Sequence, residues 1–301
     1  MREPLRYRAN GSFTIVQFTD LHVGGGVEEK DERTLALTKR VIELEEPDLV
    51  VYSGDMLYGS EVKEPIGTLQ RIVSIPEALN IPFAIIFGNH DAESIASRDE
   101  LFNCLSDCRM LVSKAGPEPI HGVGNDVLPV LDSKGEELAS LLYLFDSGEL
   151  APPEIGGYEW IHHDQIEWYR KQSAAYQMKA GYALPSLAFF HIPIPEYRDA
   201  WERGQAKGTK NELVCCPELN SGLFTAMLEC KDVMGTFAGH DHDNDYVARW
   251  HGMRLAYGRV SGYGGYGNLK RGARVIRMQE GERAFSTWIR LADGSVMSDE
   301  Q

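Results

Sequence analysis

Asp20-Leu21-His22, Asp55, Asn89-His90-Asp91, His191 and His240-Asp241-His242 are the residues of this chain best suited to chemistry. Each closely follows an apolar run. FTIVQFT precedes Asp20, DLVVYSG precedes Asp55, FAIIFG precedes Asn89, SLAFF precedes His191 and MGTFAG precedes His240. Five of the nine histidines fall in these places. Singly, each motif is ordinary. A D-x-H or a Gly-Asp makes a turn, and one buried histidine is more often a hydrogen-bonded core residue than a ligand. Placed together at the ends of five buried-looking strands, they read as one site. Parallel strands deliver their C-terminal ends to one edge of an α/β sheet, and ligands bind at that edge.

The residue types say what that site would hold. Asp20, His22, Asp55, Asn89, His191, His240 and His242 combine imidazole, carboxylate and one amide oxygen, without thiolate. Such a set suits Mn, Fe, Zn or a similar first-row ion better than calcium or a structural zinc. Seven ligands exceed what one catalytic ion with an open position can use. They suit two ions, divalent or of mixed valence, that share a carboxylate. Asp55 is the natural bridge, a lone carboxylate at a turn where Gly54 lets the backbone approach closely.

The elements that must position these residues follow from the hydrophobic pattern. FTIVQF (13–18), DLVVYS (48–53), FAIIF (83–87) and SLAFFH (186–191) are expected strands. Residues 31–46, 65–79, 98–108, 162–179 and 218–230 are expected helices, the first stopped by Pro47. Strand, helix and strand over 13–53 make a βαβ unit and a parallel sheet. Residues 126–145 read as a hairpin around Ser-Lys-Gly. From Met234 onward, MGTFAG, DYVARW, RLAYG, ARVIRM and FSTWIRL suggest mainly antiparallel pairing. The expected fold is α/β, one domain over 1–301 with a core of about 13–291, in which two sheets pack with helices outside.

Composition narrows the classes. Of 301 residues, 43% are hydrophobic, enough for a full core. The formal charge of −15 disfavours a nucleic-acid surface, which needs a basic stripe. It also opposes long-range steering of an anion, unless the site brings its own cations. No apolar run approaches the ~18 residues of a membrane span, and the N-terminal segment lacks a secretory pattern. The expectation is a cytoplasmic protein with no membrane partner. Cys104, Cys108, Cys215, Cys216 and Cys230 are odd in number, without C-x-x-C spacing, and read as small reduced thiols. Cys104 and Cys108, four apart in an expected helix, could share a face.

D-x-H, G-D, G-N-H-D, a lone His after a strand and G-H-x-H, in this order, resemble the signature of the calcineurin-like metallophosphoesterases. The finer resemblance is to the purple acid phosphatase-related branch of plants and fungi that keeps D-x-H. FFHIPIPEY (189–197), FAGHDHDND (237–245), YGRVSGYGGYG (257–267) and LYLFDSGEL ahead of GYEWI (157–161) carry it. The resemblance implies a four-layer αββα sandwich with a dimetal site between the ends of its two mixed sheets. It implies one metal on Asp20, His22 and His242, a second on Asn89, His191 and His240, Asp55 as bridge, and His90 as catalytic histidine. It further implies hydrolysis of a small phosphate ester by a metal-bound hydroxide. A phosphomonoesterase leads; a phosphodiesterase, cyclic nucleotides included, and a non-catalytic interaction scaffold are the alternatives.

Several neighbours carry open expectations. Asp91, Asp241 and Asp245 would either accept hydrogen bonds from ligand imidazoles or stand as solvated turn residues. Tyr58 lies three residues past Asp55. In the true purple enzymes a tyrosine there binds ferric iron and the D-x-H histidine is absent; in other members an Asp there orients the catalytic histidine. Because His22 is present, Tyr58 is expected to line the pocket instead. Tyr263 and Tyr266 would cover the pocket or belong to a flexible loop. Arg259 is expected to be solvated and His162 and His163 to lie on the surface, while His121 and His251 have no motif context.

Overall fold

The computed structural model describes residues 3–298. Its elements are β1 (Ser12–Phe18), α1 (Glu28–Glu45), β2 (Leu49–Ser53), α2 (Pro65–Leu79), β3 (Phe83–Ile86), α3 (Arg98–Asn103), β4 (Asp126–Leu131) and β5 (Leu138–Leu144). Then come α4 (His163–Ala180), β6 (Ser186–Phe189), α5 (Glu196–Arg203), β7 (Gln205–Lys207), α6 (Leu223–Cys230) and β8 (Val233–Ala238). β9 (Val247–Trp250), β10 (Met253–Tyr257), β11 (Gly272–Gln279), β12 (Phe285–Leu291) and β13 (Val296–Ser298) complete the order.

Two mixed sheets form, with strand orders β13-β12-β11-β1-β2-β3 and β4-β5-β6-β8-β10-β9-β7. Alternation of side chains along each strand separates three apolar layers. In β2, Leu49 and Val51 face the layer between the sheets, while Val50 and Tyr52 face α1 and α2. In β5, Leu142 and Leu144 join the inter-sheet layer, while Leu141 and Tyr143 pack under α4. Both faces of these strands are covered, which is why they appear as continuous apolar runs. The result is helix, sheet, sheet, helix, as expected.

Local signals set the ends. Pro65 opens α2, where its missing N–H costs nothing. α3 opens on a Ser97–Glu100 capping box. It stops at Asn103, so Cys104 only caps it and Cys108 lies beyond; the shared helical face does not exist. None of the five cysteines forms a disulfide.

The C-terminal part is mainly antiparallel, as expected, with β8 the exception. β9–β10 and β11–β12 are antiparallel, but β8 pairs parallel with both β6 and β10. This matters for the site. β1, β2 and β3 run parallel in one sheet, and β6 and β8 run parallel in the other. The five motifs therefore leave the C-terminal ends of strands in two sheets, not one.

Candidate metal centre

The turns after these strands are unusual. Asp20 (φ 56°), His22 (φ 46°), Asp55 (φ 51°) and His240 (φ 77°) all occupy the left-handed region. Residues with a Cβ seldom adopt it, and each instance costs about 1–3 kcal/mol. Hydrogen bonds of the turns hold them: Asp20 N–H donates to Gly54 O (3.1 Å) and His22 N–H to Asp55 O (3.0 Å). Gly88 supplies the close approach. A Cβ there would lie 2.2 Å from Asp55 Oδ1 and 2.8 Å from the His191 ring.

Two clusters result. Asp20, His22 and His242 offer ligand atoms all within 4.8 Å of one another, and so do Asp55, His191 and His240. The Nε2 atoms of His22 and His242 stand 3.1 Å apart. His242 Nε2 lies 3.4 Å from Asp20 Oδ1. Asp55 Oδ2 reaches toward both clusters, 3.2 Å from His191 Nε2 and 3.7 Å from His22 Nε2. All six side chains are buried. Asn89 Oδ1 is buried without a hydrogen-bond partner, while the buried His191 Nε2 faces the Asp55 carboxylate at 3.2 Å. Leaving a buried amide oxygen unsatisfied costs about 1–3 kcal/mol, and a bound cation would satisfy it. The residues therefore fit two metal ions.

Electrostatics agree for Asp20, Asp55, His22 and His240. Burial pushes the Asp20 carboxyl up, but the His242 hydrogen bond and the nearby imidazoles outweigh it and hold it at about 2. Asp55 is likewise held well below the usual carboxylate range, with His191 overcoming burial. Burial lowers His22 to about 4 and His240 to about 3. Both carboxylates are thus charged and both imidazoles neutral at pH 7, the protonation states that metal ligation requires. His191 goes the other way: burial lowers it, but Asp55 prevails and raises it to about 9.

The ligand imidazoles are oriented by backbone carbonyls. His191 Nδ1 lies 2.9 Å from Ser53 O, and His242 Nδ1 lies 3.1 Å from Tyr266 O, which turns each Nε2 inward. The three aspartates considered for this task do other work. Asp91 accepts from the N–H groups of Leu57 (2.9 Å) and Gly88 (2.8 Å), tying two ligand loops together. Asp241 accepts from the Tyr257 hydroxyl (2.5 Å) and Cys215 N–H. Asp245 accepts from Thr209 N–H (2.8 Å) and pairs with Arg259. Arg259 is therefore buried, not solvated. A guanidinium is tolerated there because a carboxylate meets it.

A cavity of about 240 Å³ opens over the clusters, with His90, Tyr58, Tyr158, Cys215 and Tyr266 in its wall. His90 is bound through its backbone, whose N–H donates to Asp55 Oδ1 (2.9 Å). It stays outside both clusters. Tyr266 stacks on His242 with ring centroids 4.0 Å apart, and its hydroxyl donates to Glu212 (2.8 Å). Tyr263 turns away and lies under Arg33. Arg271 organises this Gly/Tyr loop, donating to the carbonyls of Gly262, Gly265, Tyr266, Gly267 and Leu269. Tyr158 stands T-shaped on His240 at 4.3 Å. Neither Arg271 nor Tyr158 is marked by any spacing in the sequence.

Tyr58 stands edge-on to His22 in the cavity wall, with centroids 5.7 Å apart, and His22 fills the position beside it. An iron-loaded protein is therefore expected to lack the strong visible band of a tyrosinate–ferric pair, and Tyr58→Phe to leave the spectrum and metal content unchanged. A visible band that vanishes in Tyr58→Phe would overturn this.

The remaining histidines lie elsewhere. His163 and His251 are exposed. His121 does have partners: it stacks on His162 at 3.7 Å, and the Nε2 atoms of the two rings lie 3.0 and 2.8 Å from one oxygen, Glu159 Oε1. That carboxylate satisfies both rings by ordinary hydrogen bonds, and none of the three lines the cavity over the clusters.

A family model for calcineurin-like phosphoesterases matches residues 13–244. A curated relative, probable inactive purple acid phosphatase 29 of Arabidopsis thaliana, is 33% identical over 97% of this chain and 85% of its own. Phosphatase DCR2 of Saccharomyces cerevisiae is also 33% identical, over 93% of this chain and 54% of its own. A dimetal phosphatase from Danio rerio shares the fold at TM-score 0.62 with 13% identity, covering 91% of this chain and 98% of that one. A purple acid phosphatase from yellow lupin seeds shares it at TM-score 0.52 with 14% identity, covering 97% of this chain and 54% of that one. No helix among the described residues is long and apolar enough to cross a membrane.

Proposed function

The chain belongs to the calcineurin-like phosphoesterase family, and on that premise we propose that it hydrolyses small phosphate monoesters at a two-metal centre. The observation that carries this reading is the two buried clusters of ligand atoms, with the buried Asn89 Oδ1 left without a hydrogen-bond partner. Asp20, His22 and His242 would hold one ion, Asn89, His191 and His240 the other, and Asp55 both. Bound there, two divalent ions bring the pKa of water toward ~7 and orient the phosphoryl oxygens.

The chain's own residues supply the rest. Asp20 and Asp55 contribute two negative charges, fewer than two divalent ions carry, so the pocket stays net positive within an acidic protein. That favours a dianionic monoester over a monoanionic diester. Water forms the new P–O bond on one side of phosphorus while the ester P–O bond breaks on the other. His90, in the cavity wall but outside the clusters, gives its Nε2 proton to the departing oxygen. The Arabidopsis relative carries the word inactive in its name. Here every motif position is filled, with Asn89 and His90 intact, and this supports turnover.

The test uses p-nitrophenyl phosphate and its bis ester after chelation, then with Mn²⁺, Zn²⁺ or Fe²⁺ added back. Chelation is expected to abolish turnover and metal to restore it, with the monoester preferred. Preference for the bis ester would make it a phosphodiesterase. Full activity in metal-free protein would sink the two-metal reading. Turnover of neither ester with both metal positions filled would favour an interaction scaffold.

A further inference from the structure

His90 does not stand alone in the cavity wall. Residues His90–Glu93 form one turn of 3₁₀ helix, in which residues three apart eclipse. Glu93 Oε2 consequently lies 2.7 Å from His90 Nδ1. A carboxylate can only accept, so Nδ1 carries the proton and Nε2 is the ring atom left for the cavity. Gly59, on the opposing turn, makes room for the contact. With φ 68°, its added Cβ would lie 2.4 Å from Glu93 Oε2 and 3.2 Å from His90 Nδ1. Tyr58 next to it is turned to His22 and packs on Gly25, so it does not compete for the ring.

We infer that Glu93 is the positioning residue for His90: its carboxylate fixes the tautomer and ring orientation that aim Nε2 at the leaving group. This rests on the reading of His90 given above. With Nδ1–H held on Glu93, the proton given up is the one on Nε2. After transfer, the alcohol holds the Nε2 proton and the neutral ring keeps Nδ1–H on Glu93. Glu93 itself exchanges no proton. It touches none of the seven candidate ligands through a recorded hydrogen bond or ion pair; its recorded partner is His90.

The experiment compares Glu93→Ala, Glu93→Gln, His90→Ala and the His90→Ala/Glu93→Ala double variant, all metal-loaded, on an alkyl phosphate and p-nitrophenyl phosphate. Loss of a partner that orients a functional imidazole costs about 10–100-fold. Glu93→Ala is expected to lose that much kcat on the alkyl ester, distinctly less on the p-nitrophenyl ester, with KM and metal content unchanged. Glu93→Gln, which keeps an acceptor, should recover part of the loss. The double variant should be no worse than His90→Ala alone, because groups acting through one another are not additive. Gly59→Ala, which crowds the contact without removing either group, should mimic Glu93→Ala. Equal losses on both esters, additivity with His90→Ala, or lost metal would overturn the inference. ¹⁵N NMR of the His90 ring reads it without turnover. Nδ1–H is expected in the parent protein and its loss in Glu93→Ala, and a ring protonated at Nε2 only would refute it. Inactivity of the parent protein with correct His90 NMR would count against the proposed activity and not against the Glu93 contact.

Discussion

Asp55→Asn is expected to empty both metal positions and abolish turnover together. Asp55 Oδ2 approaches imidazoles of both clusters, His191 at 3.2 Å and His22 at 3.7 Å, a little closer than Asp20 Oδ1, which lies 3.4 Å from His242 and 3.9 Å from His191. Its other oxygen accepts the His90 backbone N–H at 2.9 Å, so the same side chain fixes the entry of the catalytic turn. Asparagine has almost the same shape, and the strained turn at φ 51° tolerates it well. The fold should therefore survive while the bridging charge is lost. One amide group would also place a donor against His22 or His191, where a ligand atom is required. Metal-ion catalysis supplies several kcal/mol of barrier reduction, so the expected fall in kcat is at least about 10³-fold. Elemental analysis checks the cause. Two ions at full occupancy in Asp55→Asn would show that Asp55 is not the bridge, whatever the activity.

The legibility of this site has a physical basis. Asp20, Asp55, Asn89, His191 and His240 each follow a strand within two or three residues, and those strands are buried on both faces. A buried strand is a continuous apolar run, and polar residues just beyond it are conspicuous. The ligands are therefore legible as candidates, and the two buried clusters bring together six of the seven, while the seventh, Asn89, has its Oδ1 buried without a hydrogen-bond partner. Pairing direction is legible where the connection reveals it, as in the βαβ unit over 13–53 and the 126–145 hairpin, but not for β8, because a run buried on both faces looks the same whether its neighbours are parallel or antiparallel. β8 was accordingly misjudged. The short helix α5 was missed because only Tyr197, Ala200 and Glu196 of its eight residues are buried, too few to establish a period.

Charges were harder still. Asp91, Asp241 and Asp245 serve partners mostly far away in sequence: all three accept backbone N–H groups, Asp241 also takes the Tyr257 hydroxyl, and Asp245 pairs with Arg259. The burial of Arg259 is not legible in the sequence because it depends on Asp245 and the Lys270 carbonyl being folded against it. Glu93 is the instructive exception. Its tie to His90 is local, three residues within one tight turn, and was available from the string HDAE once a turn after Asn89 was granted.

His90→Ala should separate catalysis from metal binding, because it is the one histidine of the five motifs outside both clusters. Its ring lies 5.2 Å from that of His22 and its side chain keeps 41% exposure, unlike the buried ligands. Removing the ring leaves the His90 backbone N–H on Asp55 and all seven candidate ligands in place. Both ions should remain by elemental analysis. A general acid contributes about 10²–10⁴-fold where a proton must reach the leaving oxygen. An alkoxide needs that proton and p-nitrophenolate does not. The loss in kcat should therefore approach the upper part of this range for alkyl phosphates and be far smaller for p-nitrophenyl phosphate. Uniform loss on both would mean that His90 stabilises the phosphoryl group itself, for example by a hydrogen bond to a non-bridging oxygen, and gives no proton to the leaving group.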